Sequence, residues 1–275
     1  MMAPLLELSH VSKTFGSARR RVPAVSDVSF AVQAGAAEIF TIVGQSGSGK
    51  TTLARMILGM EMPTEGNIRL FGKDVAHMQG AQARRLFMGT VQPIFQNPFE
   101  AFNPLRQLDY YLFLTARRFG GAGDQHRSQT SADTALRQVG LSLAEVTGRY
   151  PHELSGGQLQ RAAIARALLG KPKLIVADEP VSMVDASLRT SIVNLFKTLR
   201  DELGISLIYI THDLATAYYI SDRILIMHEG KVVESGDART VLAAPQHPYS
   251  RQLKDAVLVP DFAPRQSTSD TAQST

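Results

Sequence analysis

Residues 44–52 read Gly44-Gln45-Ser46-Gly47-Ser48-Gly49-Lys50-Thr51-Thr52, and the first eight satisfy the spacing G-x-x-x-x-G-K-[ST]. Glycines at 44, 47 and 49 permit a turn tight enough for successive N–H groups to point into one concavity that cradles phosphate oxygens. Lys50 then reaches the outer phosphates, and the Thr51 hydroxyl is placed to ligate Mg²⁺. Gln45, Ser46, Ser48 and Thr52 complete the expected phosphate-binding set. The flanks agree with this reading. Ile39-Phe40-Thr41-Ile42-Val43 is a continuous apolar run of strand length, and Leu53, Met56, Ile57 and Met60 fall on one helical face. Phosphates would thus sit at a helix N-terminus, where the dipole favours negative charge. A flexible Gly/Ser loop is the competing reading; strand and helix on the required sides argue against it.

A second carboxylate-bearing strand is needed for phosphoryl chemistry, and Leu174-Ile175-Val176-Ala177-Asp178-Glu179-Pro180 supplies one. Asp178 at the strand end is placed to hold Mg²⁺, and Glu179 to polarise a water in line with the terminal phosphate. Val91–Gln96 is strand-like with Gln96 at its end, and His212 ends the apolar run Ile205–Ile210. A lone histidine is usually a satisfied structural residue. Here Gln96, Asp178, Glu179 and His212 all fall at C-terminal strand ends, the edge at which open α/β sheets bind ligands. That placement favours γ-phosphate sensing by Gln96 and His212. Leu154-Ser155-Gly156-Gly157-Gln158 opens another helix with a hydroxyl and small residues, a second anion site. Two separated phosphate-binding termini in one chain imply a composite site, half of it supplied by another subunit.

The rest of the chain sets bounds. At 275 residues with 44% apolar and 20% charged residues, it is long enough for one large α/β domain with an inserted subdomain. The net charge of +4 is too small and dispersed to indicate nucleic acid. Arg19-Arg20-Arg21 reads as a solvated loop between two N-terminal strands marked by Leu6, Leu8 and Val11 and by Val28, Phe30 and Val32. With no cysteine, a disulfide framework and Cys-ligated clusters are excluded. No signal peptide and no apolar stretch of spanning length is evident. Phe15, in a polar, turn-like setting, admits two readings that the residues leave open: a core aromatic, or a ring that stacks on a purine. The two Asn-Pro steps of Asn97–Pro104 predict an irregular loop with exposed phenylalanines. From about 105 to 170 the pattern is helical, with 120–131 expected as a polar surface loop. Residues 224–233 read as a hairpin around Glu229-Gly230, and the Ser/Thr/Gln/Pro-rich end, 259–275, as disordered.

In this motif order the sequence resembles the nucleotide-binding subunits of ATP-binding cassette transporters over about residues 5–255. Gly44–Thr51 match the Walker A motif, Gln96 the Q-loop glutamine, Leu154–Gln158 the signature motif and Leu174–Glu179 Walker B. Asp185 matches the D-loop and His212 the switch histidine, and Phe15 falls where the family's adenine-stacking aromatic lies. The resemblance implies a P-loop NTPase (RecA-like) α/β core, an antiparallel β subdomain and an inserted α-helical subdomain. The expected domain spans 5–258, with its core at about 5–96 and 171–240 and its helical part at about 97–170. ATP and Mg²⁺ are the implied ligands, with Gln96 joining Thr51 and Asp178 at the metal. The implied assembly is a head-to-tail dimer in which Walker A of one subunit faces Ser155, Gly157 and Gln158 of the other, with Asp185 at the same junction. Glu179 is the implied base.

Permease subunits docking beside Gln96, and indirectly a solute-binding protein, are the further implied partners, at the cytoplasmic face of the inner membrane. Phe95–Phe99 with Asn103-Pro104, and Gln246–Leu253, resemble the oligopeptide, dipeptide and nickel importer group, which also includes oligosaccharide importers. A soluble accessory ATPase, a translation or DNA-repair factor, a silent regulatory cassette or an exporter subunit are the alternatives. The chain departs from the family pattern at two places. Gly35–Gly44 is about two residues longer than usual, which predicts a bulge in the strand before Walker A, and Met183-Val184 stand where Ala-Leu is common.

Overall fold

A computed structural model describes residues 3–17, 20–78, 80–119, 121 and 123–256. Arg19 and the expected disordered end from 259 lie outside these residues. The chain opens with a long antiparallel hairpin, β1 (Leu6–Ser17) and β2 (Arg20–Val32). Arg20 and Arg21 do not form a loop: they pair with Ser17 and Gly16 because the ladder runs on past the Phe15–Val22 pair. Strand β3 (Ile39–Val43) leads into helix α1 (Lys50–Ile57), and β4 (Glu65–Leu70) and β5 (Lys73–Asp74) return to the first hairpin. The resulting antiparallel sheet has the order β2-β1-β4-β5.

Helix α2 (Ala81–Thr90) and strand β6 (Val91–Ile94) precede a helical segment: α3 (Leu108–Phe119), α4 (Gln125–Gln138), α5 (Leu143–Val146) and α6 (Gly156–Leu168). Then follow β7 (Leu174–Asp178), α7 (Ala186–Asp201), β8 (Ser206–Thr211), α8 (Leu214–Ile220), β9 (Arg223–His228), β10 (Lys231–Asp237), α9 (Ala238–Ala243) and α10 (Pro248–Ala256). The second sheet has the order β10-β9-β3-β8-β7-β6 and is parallel except for the β9–β10 hairpin. Each crossover between parallel strands carries helices, as a parallel pair requires.

Central strands of this sheet are buried on both faces, so they read as unbroken apolar runs instead of alternating ones. Their residues nonetheless divide by parity. Ile39, Ile175, Ala177, Leu207 and Tyr209 pack with α3, α4, α6 and α7, whereas Phe40, Ile42, Leu174, Val176, Ile208 and Ile210 pack with α1 and the antiparallel sheet. Side chains of a strand alternate in direction, so these two clusters occupy opposite faces. Helices α1 and α6 are therefore separated by the sheet. A third cluster joins Val43 to Leu214, Ile224, Ile226, Val241 and Tyr249, drawing the C-terminal helices onto the same strand.

Three further local expectations are corrected. The strand before the P-loop is not bulged: β3 keeps continuous register with both β8 and β9. A bulge in a strand bonded on both sides would disrupt two ladders at once. The extra length lies instead in the turn between β2 and β3, where Gly35 takes a positive φ of 93° and Glu38 pairs with Arg223. Phe102 is a core residue at 3% exposure, while Phe99 is exposed as expected. Finally, residues 125–131 are the first turns of α4. Asp124 caps them, accepting from the Arg127 N–H at 2.7 Å, and Ser128, Ala132, Ala135 and Leu136 form the buried face. Small and hydroxyl-bearing residues on that face hid the helical period from a hydrophobicity reading.

Asp124→Ala removes the acceptor that closes the first turn of α4 and should lower stability by about 1 kcal/mol. A urea titration measures this; an unchanged midpoint would mean that the buried face alone holds the helix.

Candidate active site

Lys50 is 5% exposed and points back into its own loop. Its Nζ donates to the Gly44 carbonyl at 2.7 Å, the Gln45 carbonyl at 2.9 Å and the Ser48 hydroxyl at 3.5 Å. Loop shape makes this possible. Gly49 takes φ +99°, and a Cβ there would lie 2.2 Å from the Ala24 carbonyl oxygen. One at Gly44 would lie 2.3 Å from the Met227 carbonyl oxygen. These two positions accept only glycine because backbone from β2 and β9 presses against them. Burial lowers the Lys50 pKa, and the nearby carboxylates of Glu179 and Asp178 counter that shift.

Asp178 ends β7. Burial raises its pKa, the Glu179 charge adds to the rise, and a hydrogen bond from the Thr51 hydroxyl opposes it. Its Oδ1 is buried and receives no hydrogen bond from the described residues. An acceptor left without a donor fits a hard divalent cation, and a carboxylate beside a hydroxyl at a phosphate cradle is a donor set that suits Mg²⁺. Among the described residues no group of three or more His, Asp or Glu gathers as an all-protein metal cage.

Glu179 follows in an unusual backbone state, φ +44°. A non-glycine residue there costs about 1–3 kcal/mol and persists only where its surroundings hold it. They do: its N–H donates to the Ile210 carbonyl at 2.9 Å, and its own carbonyl accepts from Ser182 N–H and Oγ–H at 3.1 and 2.9 Å. The side chain is thereby aimed at two partners on neighbouring strands. His212 Nδ1 lies 2.9 Å from Oε1, and Gln96 Nε2 donates to Oε2 at 3.4 Å. A carboxylate only accepts, so His212 carries its proton on Nδ1 in this contact. The parallel order β6-β7-β8 is what brings 96, 179 and 212 to one edge.

The remaining sequence-predicted residues lie apart from this cluster. Ser155 caps α6, accepting from Gln158 N–H at 3.3 Å, while Gln158 Oε1 accepts from Ser155 N–H at 3.1 Å, a reciprocal capping box. Gly157 is buried; a Cβ on it would meet Leu188 Cδ1 at 2.7 Å, and one on Gly156 would lie 3.4 Å from the Met183 carbonyl. The signature turn and the D-loop thus pack together. The D-loop departure is accommodated simply: Val184 is buried and the Met183 side chain is exposed. Asp185 starts α7 without a side-chain cap bond and, like Ser155, is exposed. Phe15 is 43% exposed on the first hairpin with the Lys13 ammonium 5.0 Å from its ring centre. Among the described residues no hydrogen bond or ion pair links Phe15, Ser155, Gln158 or Asp185 to the Lys50–Glu179 cluster.

A model of the family described as ABC transporter matches residues 25–182. The chain belongs to the ABC transporter family. As an ABC cassette it has relatives of similar length. The oligopeptide transport ATP-binding protein AmiF of Streptococcus pneumoniae is 36% identical over 261 residues, 95% of this chain and 84% of that protein. The oligopeptide transport ATP-binding protein OppF of Streptococcus pyogenes is 36% identical over the same shares. Among solved structures, the dimeric post-hydrolysis ATP-binding cassette MJ0796 bound to ADP and Pi is similar at a TM-score of 0.76. It is 28% identical, with 85% of this chain and 99% of that one covered.

Two residues escaped the sequence reading of this cassette. Arg166, in α6, donates to the Ala101 carbonyl and to Thr115 Oγ1, and its guanidinium faces the rings of Phe102 and Tyr111 at 5.6 and 5.4 Å. An arginine amid the Ala/Ile/Leu second half of that helix was the available signal. Tyr249, in α10, accepts a hydrogen bond from the Gln45 N–H at 3.0 Å; no local pattern announces a contact across the whole chain.

Because burial lifts the Asp178 pKa, the folded state binds its proton more tightly than the unfolded chain. Stability therefore falls as pH rises from the ordinary aspartate value, about 3.9, through the raised one, and the cost persists above it. Asp178→Asn removes that cost. Without nucleotide it should melt at or above wild type at about pH 7, with the gap closing toward about pH 4. A variant less stable at neutral pH would show that the carboxylate is a net stabiliser.

Proposed function

We infer that this chain is the ATP-hydrolysing subunit of a membrane importer of peptides, driven by ATP-dependent closure of a cassette dimer. The carrying observation is the Glu179 carboxylate, held between His212 and Gln96 one residue beyond Asp178 and within the electrostatic reach of Lys50. In that position Glu179 is the base that takes a proton from the attacking water, and His212 and Gln96 set its direction. Lys50 and the loop amides hold the β- and γ-phosphates, and Phe15 offers its ring to adenine. Thr51 and Asp178, with Gln96 alongside, would hold Mg²⁺, which when bound would supply neutralising charge at the phosphate oxygens.

The composite-site reading is supported by the sheet lying between α1 and α6, and by the exposure of Ser155 and Asp185. One chain cannot fold its signature helix over its own P-loop through that sheet. A second cassette presenting Ser155, Gly157 and Gln158 completes the site, and the solved dimer of a similar cassette accords with this assembly. The names of the relatives favour peptides as cargo over oligosaccharides or nickel. They equally favour transport over a soluble accessory role. No helix among the described residues is long and apolar enough to cross a membrane. On this reading permease subunits dock near Gln96 and the chain works at the cytoplasmic face of the inner membrane, as the names of the importer relatives support. A solute-binding protein would deliver the cargo.

Glu179→Gln keeps the phosphate cradle but removes the base, so turnover should fall by about 10²–10⁴-fold. Size-exclusion chromatography with ATP should then show an accumulated dimer, as a homodimer or with its partner cassette. Only monomer under both conditions would sink the composite site, and retained turnover would dismiss Glu179 as base.

A further inference from the structure

The segment Gln246–Leu253 entered the sequence reading only as a family marker, yet it reaches the phosphate loop. Tyr249 is 6% exposed, its ring stacks on His228 with centroids 3.8 Å apart, and its hydroxyl accepts the Gln45 N–H at 3.0 Å. The same Gln45 residue is held at its other end, where its carbonyl accepts from Lys50 Nζ at 2.9 Å and from Ser48 N–H at 3.2 Å. Gln45 is thus pinned on one side by the phosphate-binding lysine and on the other by α10.

The anchor behind Tyr249 is itself firm. Glu234 on β10 accepts from the N–H groups of Gln246 and His247 at 2.9 and 3.1 Å, and His247 Nδ1 accepts from Tyr249 N–H at 3.2 Å. Arg251 donates to the Pro245 carbonyl at 3.0 Å. Tyr249 also belongs to the apolar cluster that contains Val43, the last residue of the strand feeding the loop. Lys50 must release part of its hold on the Gly44 and Gln45 carbonyls to reach a phosphate. The bond from Tyr249 is independent of that exchange.

We propose that Tyr249 is a positioning residue of the nucleotide site: by holding the Gln45 N–H it keeps the phosphate loop open and ordered while Lys50 changes partners. The C-terminal helix is on this view a working part of ATP binding and not an appendage. The proposal rests on the nucleotide-binding reading above and deepens it. Loss of the hydroxyl leaves a loop amide without its acceptor, which weakens nucleotide binding while sparing the proton transfer at Glu179, some distance along the sheet edge.

Calorimetric titration of the full chain with MgADP tests this, comparing wild type with Tyr249→Phe, which keeps the ring and its stack. The variant should bind about tenfold more weakly, a change expected for one hydrogen bond at a ligand-organising site. For ATP turnover its KM should rise about as much, with kcat nearly unchanged. Equal affinity in both proteins overturns the proposal and leaves the nucleotide reading standing. A fall in kcat without a change in KM overturns it also. Failure of wild type to bind MgADP overturns the nucleotide reading itself.

Should the variant not fold, hydrogen exchange on wild type decides the matter, because coupling between two sites is reciprocal. MgADP should slow exchange in 246–253 as well as in 44–52. Slowing confined to 44–52 would overturn the latch.

Discussion

Lys50 carries a charge into a place where it has little water, and much of the architecture answers that one constraint. Three oxygens of its own loop surround the ammonium. They can do so only because the backbone bends through glycines that the carbonyls of Ala24 and Met227 leave no room to replace. The carboxylates of Asp178, at the end of β7, and Glu179, just beyond it, counter the lowering of the Lys50 pKa by burial. On the proposed function, these neutral acceptors are what Lys50 gives up in part for a phosphate. The loop is therefore both a stable structure and a poised one.

The same economy appears at Glu179. Its left-handed backbone would be unfavourable in an open loop, yet bonds to Ile210 and Ser182 fix it. The conformation turns the carboxylate sideways along the sheet edge toward His212 and Gln96 instead of forward along the strand. A parallel sheet lends itself to this, since all its C-terminal strand ends gather on one edge whatever their separation in sequence. The opposite placement of α1 and α6 follows from nothing more than alternate side chains along β3, β7 and β8.

How much of this was legible in the sequence depended on whether the information was local. Gly44–Thr51, Leu174–Glu179 and His212 announce themselves because each is a polar group placed directly after an apolar run. Gln96 was legible for the same reason, though its strand stops two residues earlier, at Ile94. The start of α4 was hidden because its buried face is built partly of serine and alanine. Phe102 was misplaced because its neighbours are loop-forming, while its burial comes from packing with the nearby α3 and the sequence-distant α6. The expected bulge in β3 failed because spacing counts residues but not where the sheet will tolerate them. Tyr249 was beyond reach altogether, its partner lying 204 positions away.

Arg166 shows what a neutral setting does for a mechanical joint. It ties the helix bearing Ser155–Gln158 to the segment just past Gln96, through a carbonyl, a hydroxyl and two aromatic faces, with no carboxylate among its partners. Burial lowers its pKa, but a guanidinium starts so high that it stays charged at any physiological pH. Its partners are not ions, so this joint holds no charge–charge attraction for salt to screen. A clasp fastened in this way depends little on the surrounding ionic strength. The clasp between the two halves of the helical segment is thus insulated from the ionic conditions that govern the site it serves.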